Sequence, residues 1–338
     1  MERRLPIYLL LDCSESMAGE AIEDVQRGVQ SMCDALRQDP LAIETAHLSV
    51  ISFSGYAKHL VPLTEVLNFE CPRLKVRSGT ALGSALQLLL QCLQKDVVRT
   101  SKDKKADYKP IVILLTDGEP TDAWEAVADQ LKQQQNPGLA NIYAIACGPD
   151  ADTEVLHRIT NLVLRMKDMS AEAWRALFVW LTASIQTTQQ SLAAAMEGAS
   201  INLPGLPAES LEIAPRETAP RDSRPRQVFL HAFCSQTGGH YLMRFARQPH
   251  EQFYSPVASH RLDPPEGGAA ETAQSIRTTE LTGMPACPYC ESPGVAVCQC
   301  QTLLCVAPGA RRLFCPGCQS ETTMTEGSVA AAINTSQG

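Results

Sequence analysis

The stretch IYLLLDCSES, residues 7–16, is a continuous apolar run that ends in an aspartate and two serines. Similar apolar runs recur at 47–53 (HLSVISF), 111–117 (IVILLTD) and 141–147 (NIYAIAC). Short runs without a polar face are typical of strands that are buried on both sides, as in a parallel sheet covered by helices. We therefore predict an α/β fold with a mostly parallel sheet.

Helical patterns lie between and after these runs, at about 20–37, 80–94, 122–134 and 171–196. In the first of them, Ile22, Val25 and Val29 fall on one stripe at helical spacing. Strands that alternate with helices in this way indicate a doubly wound, Rossmann-like sheet with helices on both faces.

Charge and hydropathy narrow the class of protein. The 338 residues include 29 Lys and Arg against 37 Asp and Glu, a formal net charge of -8. This balance argues against a bulk attraction to nucleic acid or to an anionic membrane. No apolar run approaches the roughly 18 residues that span a bilayer, and Asp12 ends the first run too early for a signal peptide. We expect a soluble, cytoplasmic protein.

Composition divides the chain into four parts. We predict an α/β domain at 1–196, a proline-rich linker at 197–227, a cysteine-rich domain at 228–323, and a disordered tail at 324–338. The third part begins with two short predicted strands around a Gly238-Gly239 turn.

Oxygen ligands follow the predicted strands. Asp12 and Asp117 are the last residues of their apolar runs, and Thr80 follows a glycine where a helix begins. Ligands of open α/β sheets bind beyond the carboxyl ends of the strands, and carboxylate and hydroxyl oxygens suit Mg²⁺ or Mn²⁺. Any one of these residues alone is more simply read as a helix N-cap. Their occurrence together, with Ser14 and Ser16, favours a metal site.

The motifs Asp12-x-Ser14-x-Ser16, Gly79-Thr80 and Thr116-Asp117-Gly118 resemble the metal-ion-dependent adhesion site of von Willebrand factor type A domains. The resemblance covers roughly residues 5–190. It implies that Ser14, Ser16 and Thr80 coordinate the metal, while Asp12 and Asp117 act directly or through water. We call these five residues the adhesion site. The remaining coordination position would accept an acidic side chain from a partner. Glu15 stands where the family commonly has glycine and would place an extra carboxylate beside the site, where it could alter partner choice.

Catalytic motifs are missing from the sequence. A phosphatase of the haloacid dehalogenase type needs a second aspartate two residues after the first, and Ser14 occupies that position. There is no G-x-S-x-G elbow and no Walker loop. Without a nucleophile, base and orienting group, we predict that the protein is not an enzyme.

The cysteines point to a second kind of metal site. Seven of the thirteen lie between Cys287 and Cys318, and the chain shows no export signal that would favour disulfides. Two Cys-x2-Cys knuckles, with 24 residues between their inner cysteines, predict a structural zinc site in a small zinc-ribbon-like β domain. Its four ligands would be Cys287, Cys290, Cys315 and Cys318.

Two alternatives remain at this point. CPYC (287–290) is also a redox motif of glutaredoxin-like proteins, but the following residues lack the βαβ pattern that this chemistry needs. The other four cysteines of this half could bind a second zinc: Cys234, Cys298, Cys300 and Cys305. The sequence therefore predicts one zinc ion or two, and it leaves the roles of His231 and His240 open.

Both halves together resemble the tellurium-resistance TerY family, which joins a von Willebrand type A domain to a cysteine-rich metal-binding domain. The resemblance rests on RRLPIYLLLDCSESM (3–17), FCSQTGGHYLMRF (233–245) and ELTGMPACPYC (280–290). After the CxC pair the family tends to place glycine, where this chain has Gln301, and a turn with positive φ is less favourable there.

The TerY resemblance implies a non-enzymatic interaction or scaffold protein of a bacterial tellurite or stress response, associated with a protein kinase and a phosphatase. A partner would offer an Asp or Glu to the divalent cation. The alternative is a zinc-ribbon nucleic-acid-binding or transcription-associated factor with the first domain as scaffold. The acidic net charge weighs against that alternative, and a salt-dependent affinity for DNA would favour it.

Overall fold

The structure is a computed structural model, and it describes residues 3–99, 105–117, 120–134, 140–148, 151–194, 203–216, 224–248, 251–263, 274–323 and 332–335. The chain forms two compact units. The first comprises Met1–Cys13, Glu20–Leu74 and Thr80–Thr218, and the second comprises Ser14–Gly19, Lys75–Gly79 and Ala219–Gly338. Gly118 and large parts of the predicted linker and tail lie outside the described residues.

Helices and strands alternate through the first unit, and strands dominate the second. The helices of the described residues are α1 Glu20–Leu36, α2 Pro40–Thr45, α3 Leu82–Asp96, α4 Glu125–Gln134, α5 Thr153–Ile159 and α6 Ala171–Ala194. The strands of the first unit are β1 Leu5–Asp12, β2 Ala46–Phe53, β3 Ala57–Glu65, β4 Ile111–Thr116, β5 Asn141–Ala146, β6 Val163–Met166 and β7 Leu211–Ile213. Those of the second unit are β8 Gln227–Phe233, β9 His240–Ala246, β10 Ser255–Arg261, β11 Gln274–Arg277, β12 Gly294–Val297, β13 Leu303–Val306, β14 Arg312–Cys315, β15 Ser320–Thr323 and β16 Ala332–Thr335.

The first unit is built on a seven-stranded sheet in the order β3-β2-β1-β4-β5-β6-β7. The pairs from β2 to β6 are parallel, while β3 and β7 join the two edges antiparallel. All residues of β1 are buried, as expected for a central parallel strand with both faces covered. The mostly parallel α/β sheet predicted from the apolar runs is confirmed.

Helices cover both faces of this sheet. Val112 and Leu114 of β4 belong to one apolar core with Leu86 of α3. Their neighbours in the strand point to the opposite face, where Ile113 lies beside Trp180 of α6. The doubly wound arrangement is therefore confirmed.

The segment after α6 departs from the predicted linker. Residues Leu211–Ile213 form β7 and pair with β6, and Leu211 is buried. The indole N–H of Trp180 also donates to the carbonyl oxygen of Pro204 at 3.1 Å. Because these contacts hold 203–216 against the sheet, the first unit extends to Thr218 rather than ending at 196.

The second unit contains a five-stranded sheet in the order β10-β9-β8-β13-β12, and two two-stranded sheets, β11-β16 and β14-β15. All pairings are antiparallel except β8 with β13. This agrees with the small, zinc-ribbon-like β domain predicted from the knuckles. The predicted disordered tail is wrong over Ala332–Thr335, because β16 pairs with β11 and buries Ile333 in an apolar core.

Among the residues that the structure describes, no helix has both the length and the apolar character needed to cross a bilayer.

Candidate metal sites

The ends of two neighbouring strands bring the first oxygen ligands together. Asp12 ends β1, and Asp117 directly follows β4, the parallel neighbour of β1. The strand that follows β1 in the chain, β2, lies on one side of this pair, and the strand that follows β4, β5, lies on the other. The ends of β1 and β4 are therefore the topological switch point, where α/β proteins bind ligands. Asp12 is buried, and the hydroxyl of Thr116 donates a hydrogen bond to its carboxylate.

The thiol of Cys147, which directly follows β5, lies close enough to both aspartates for their charges to act on it. Burial, and then the charges of Asp117 and Asp12, hold the pKa of this thiol well above its ordinary value. The two aspartates therefore act on the same buried point, and a divalent cation would offset their mutual repulsion.

The loop after β1 presents two hydroxyls side by side. Ser14 and Ser16 are buried, and their Oγ atoms lie 2.9 Å apart. A short 3-10 turn at Glu15–Met17 produces this arrangement. Glu15 does not face outward as an extra carboxylate for a partner, because it is fully buried and accepts the backbone N–H of Gly79 at 2.8 Å.

Thr80 gives a direct test of whether a metal fits. Its side chain is fully buried, and its hydroxyl oxygen has no hydrogen-bond partner among the described residues. A buried polar atom without a partner is costly, and a bound ion or water is one way to satisfy it. A divalent cation would satisfy this oxygen, and the hydroxyl and carboxylate oxygens predicted for the site are of the hard kind that Mg²⁺ or Mn²⁺ takes.

A loop that the sequence analysis did not single out holds Thr80 in place. Thr80 exchanges hydrogen bonds with Thr121, whose hydroxyl accepts the Thr80 N–H at 3.0 Å. The carboxylate of Asp122 accepts the N–H groups of Gly83 and Ser84 at 2.8 Å each. Asp122 therefore caps the first turn of α3 from a different loop. The second aspartate of TDGEPTD (116–122) was the available signal for this role.

The eight cysteines of the second unit form two groups of four. The first cysteine cluster is Cys234, Cys287, Cys290 and Cys305, and the second cysteine cluster is Cys298, Cys300, Cys315 and Cys318; within each, the sulfur atoms lie within 4.8 Å of one another. The sulfur atoms of Cys290 and Cys305 lie 3.5 Å apart, those of Cys300 and Cys315 3.6 Å, and those of Cys298 and Cys318 3.7 Å. These separations are too long for a disulfide, and they match the roughly 3.8 Å that tetrahedral zinc with bonds of about 2.3 Å imposes.

This grouping corrects the one predicted from the sequence. The two Cys-x2-Cys knuckles were assigned to one ion, yet Cys287 and Cys290 lie in the first cluster while Cys315 and Cys318 lie in the second. Each knuckle instead completes its site with two cysteines from the set predicted for a second ion. The pairing of two strands explains this grouping. Cys234 directly follows β8 and Cys305 lies in β13, and the two strands pair in parallel, so their ends lie side by side.

The comparisons with known proteins assign both units. The family model of the von Willebrand factor type A domain matches residues 7–172, and that of the TerY-C metal binding domain matches residues 266–338. The chain carries both domains of the TerY family. TerY-C is a metal-binding domain, in agreement with the two clusters.

This chain aligns with less than half the length of each of the three proteins described next. The uncharacterized protein sll0103 of Synechocystis sp. is 34% identical over 125 residues, which are 35% of this chain and 26% of that protein. A crystal structure of the ArnB paralog VWA2 from Sulfolobus acidocaldarius is 19% identical, covering 54% of this chain and 45% of that chain, with a TM-score of 0.39. Proximal thread matrix protein 1 from the mussel byssus is 19% identical, covering 54% and 48%, with a TM-score of 0.41.

Each Cys-rich turn of the TerY-C region uses a strained residue. Glu291, Gln301 and Gln319 have φ values of 59°, 69° and 56°, and each directly follows a cysteine of a cluster. Gln301 thus adopts the left-handed conformation in which the family tends to have glycine. The N–H of Gln301 donates to the carbonyl oxygen of Cys298 at 2.8 Å, which closes the turn that carries Cys300.

Replacing Gln301 with glycine is expected to stabilise this turn by about 1 kcal/mol, because a side chain in the left-handed region costs roughly that much. The measurement is amide hydrogen exchange over β12–β14 in the zinc-loaded protein, where the Gln301→Gly change should slow exchange several-fold. Gln301→Ala is the control, since it removes the glutamine side chain but keeps Cβ. Equal exchange rates in the two variants would show that backbone strain is not the cause.

Proposed function

We propose that the protein is a non-enzymatic, cytoplasmic scaffold that binds a partner protein through a divalent cation at the adhesion site. The observation that carries this proposal is the buried Thr80 hydroxyl, which lacks a hydrogen-bond partner among the described residues. Buried Asp12 and the paired hydroxyls of Ser14 and Ser16 add the remaining oxygens.

In this proposal Mg²⁺, or Mn²⁺, takes Ser14, Ser16 and Thr80 as ligands, and Asp12 and Asp117 act directly or through water. Hard divalent cations take several oxygen ligands, carboxylates among them, so the cation could accept a further carboxylate at a remaining position. The partner would supply that carboxylate from an Asp or Glu side chain. One coordination bond to a cation would then select the partner by its chemistry and its geometry.

The two cysteine clusters have a structural role in this proposal. Each offers four sulfurs, which closes the coordination shell of zinc and leaves no position for a substrate. We therefore assign one Zn²⁺ to each cluster and two to the chain. Their binding would supply much of the folding free energy of the second unit, as in other small thiolate domains.

The combination of a von Willebrand factor type A domain with a TerY-C domain supports a more specific function. The scaffold would act in a bacterial tellurite or stress response, with a protein kinase and a phosphatase of the same system as its partners. Two domains on one chain suit a scaffold, because partners bound to both would meet at a raised effective concentration.

The test of the adhesion site is the affinity for Mg²⁺, measured by isothermal titration calorimetry on the zinc-loaded protein. We expect Thr80→Ala to weaken Mg²⁺ binding about tenfold, equivalent to roughly 1.4 kcal/mol, because it removes one ligand oxygen. Ser184→Ala is the matched control: it also removes a buried hydroxyl, but one in α6 that donates to the Trp180 carbonyl. Equal affinities for Thr80→Ala and Ser184→Ala would rule out Thr80 as a ligand.

A further inference from the structure

Glu15 links two loops that carry adhesion-site residues. Its buried carboxylate accepts the N–H of Gly79 and lies 3.0 Å from Nε2 of His231. Oγ of Ser78 lies 2.9 Å from the same ring nitrogen. Glu15 lies between Ser14 and Ser16, and Gly79 precedes Thr80. The Glu15 contact with Gly79 therefore sets the spacing between the loop with the two serines and the loop with the threonine.

His231, whose imidazole contacts Glu15, stacks on the ring of His240. Nδ1 of His231 lies 3.0 Å from Nε2 of His240, and the two rings stack with centroids 5.0 Å apart. His240 also stacks on Phe233. Burial, followed by the charge of His231, lowers the pKa of His240 to about 4, so its ring is neutral at neutral pH. The pair is held by ring packing on β8 and β9 as well as by hydrogen bonding.

The strands of this histidine pair are also attached to the first cysteine cluster. Cys234 immediately follows β8. Tyr289, inside the Cys287–Cys290 knuckle, donates its hydroxyl to the carbonyl oxygen of His240 at 3.0 Å. The Tyr289 ring lies so close to Gly239 that a Cβ there would be 2.5 Å from a ring atom. A metal that fixes Cys234 and this knuckle therefore fixes the hairpin that carries both histidines.

Apolar contacts strengthen the same connection. Ala18, in the loop after β1, is buried with Phe229 and Leu242 of β8 and β9, and Val76 packs against this group. All of these residues, with Glu15, Ser78, Gly79, both histidines and the first cysteine cluster, belong to the second compact unit. The contacts are thus internal to one unit.

We propose that His231 and His240 are positioning residues, which couple the adhesion site to the first cysteine cluster so that zinc in this cluster raises the affinity for Mg²⁺. This proposal rests on the proposed function, because it requires Mg²⁺ at the adhesion site. The physical reason is preorganisation: Glu15 held by His231 keeps the loops in the arrangement that binds the cation, so less ordering is needed on binding. Linkage also requires Mg²⁺ to raise the zinc affinity of the first cluster by the same factor.

The first experiment measures Mg²⁺ affinity by calorimetry for the wild type, His231→Ala and His231→Gln, together with zinc content. We expect His231→Ala to bind Mg²⁺ about fivefold more weakly, equivalent to roughly 1 kcal/mol, while it keeps both zinc ions. His231→Gln should recover most of the loss, because its amide N–H can still donate to Glu15. A His231→Ala affinity equal to that of the wild type overturns the proposal. No Mg²⁺ binding by the wild type would instead overturn the proposed function itself.

The second experiment compares loss of zinc from each cluster. Cys290→Ser removes a ligand of the first cluster, and Cys300→Ser removes one of the second. We expect the Mg²⁺ affinity to fall about fivefold in Cys290→Ser only. Equal affinities in the two variants would contradict coupling through the first cluster. If Cys290→Ser unfolds the second unit, the comparison of His231→Ala with His231→Gln still tests the positioning role of His231, because neither substitution removes a cysteine.

Discussion

The double variant Cys287→Ser with Cys315→Ser is expected to lose both zinc ions, leaving none by elemental analysis of the purified chain. Each substitution removes one sulfur from a different cluster, and a structural zinc with three thiolates binds far more weakly than one with four. Since structural zinc contributes on the order of 10 kcal/mol to the folding of such domains, the second unit should also lose its cooperative unfolding transition.

The matched control places two substitutions in one knuckle. Cys287→Ser with Cys290→Ser affects the first cluster alone, so one zinc should remain with the second cluster. The comparison discriminates between the two groupings. If both knuckles shared one ion, as the sequence predicts, the two double variants would keep the same number of zinc ions. Equal zinc contents would thus contradict the grouping in the structure.

Asp12→Ala is expected to lower Mg²⁺ affinity by at least about 100-fold, or ~2.7 kcal/mol, a larger loss than for Thr80→Ala. Asp12 is one of two carboxylates of the adhesion site, so its removal takes away negative charge as well as an oxygen. Calorimetry measures the affinity. Thermal unfolding should show that the fold persists, because the substitution at the end of β1 removes no apolar side chain from the core.

Asp12→Asn separates the effect of the negative charge of Asp12 from the effect of its size and hydrogen bonding. The amide oxygen can still accept the hydrogen bond that the Thr116 hydroxyl donates to Asp12, while the negative charge is gone. We expect both Asp12 variants to fail to capture the purified kinase or phosphatase proposed as a partner, in the presence of Mg²⁺. Omitting Mg²⁺ is a better negative control than a chelator, which would also remove zinc. Capture that is unaffected by Asp12→Asn and by omission of Mg²⁺ would refute docking through the cation.

The sheet of the first unit could be predicted because each of its central strands is recognisable from its own short stretch of sequence. Apolar runs such as IVILLT (111–116) are buried on both faces, and four helices were located within a few residues of their observed ends. β7 could not be predicted, because three residues of LEI (211–213) carry no periodicity and become a strand only by pairing with β6. β16 escaped prediction for the same reason, since AINT (332–335) forms a strand only against β11.

The adhesion site was predictable from residue types at strand ends, and its role as a metal site stays a prediction. The contacts that position it were not predictable in the same way. Glu15 and His231 are more than 200 residues apart in the chain, and nothing in either local sequence indicates that they meet at 3.0 Å. Asp122 likewise caps α3 from a different loop, so a search for a cap immediately before the helix does not find it.

The cysteines show a limit of a different kind. Their spacing identifies metal ligands, but it does not state which knuckles share an ion, because both groupings use the same eight residues. The parallel pairing of β8 with β13 decides the matter by bringing Cys234 next to Cys305. That pairing joins segments about 70 residues apart, and no local pattern encodes it.

The ligand order along the chain restricts how this protein can be divided into fragments. The first cysteine cluster begins at Cys234 and ends at Cys305, whereas the second begins at Cys298, before the first is complete. No cut separates the two clusters cleanly. The matched TerY-C region begins at residue 266, so a fragment with that boundary would omit Cys234 and β8 and would keep three of the four sulfurs of the first cluster. The smallest segment that can be expressed with both clusters intact must therefore start upstream of β8, about 40 residues before the family boundary.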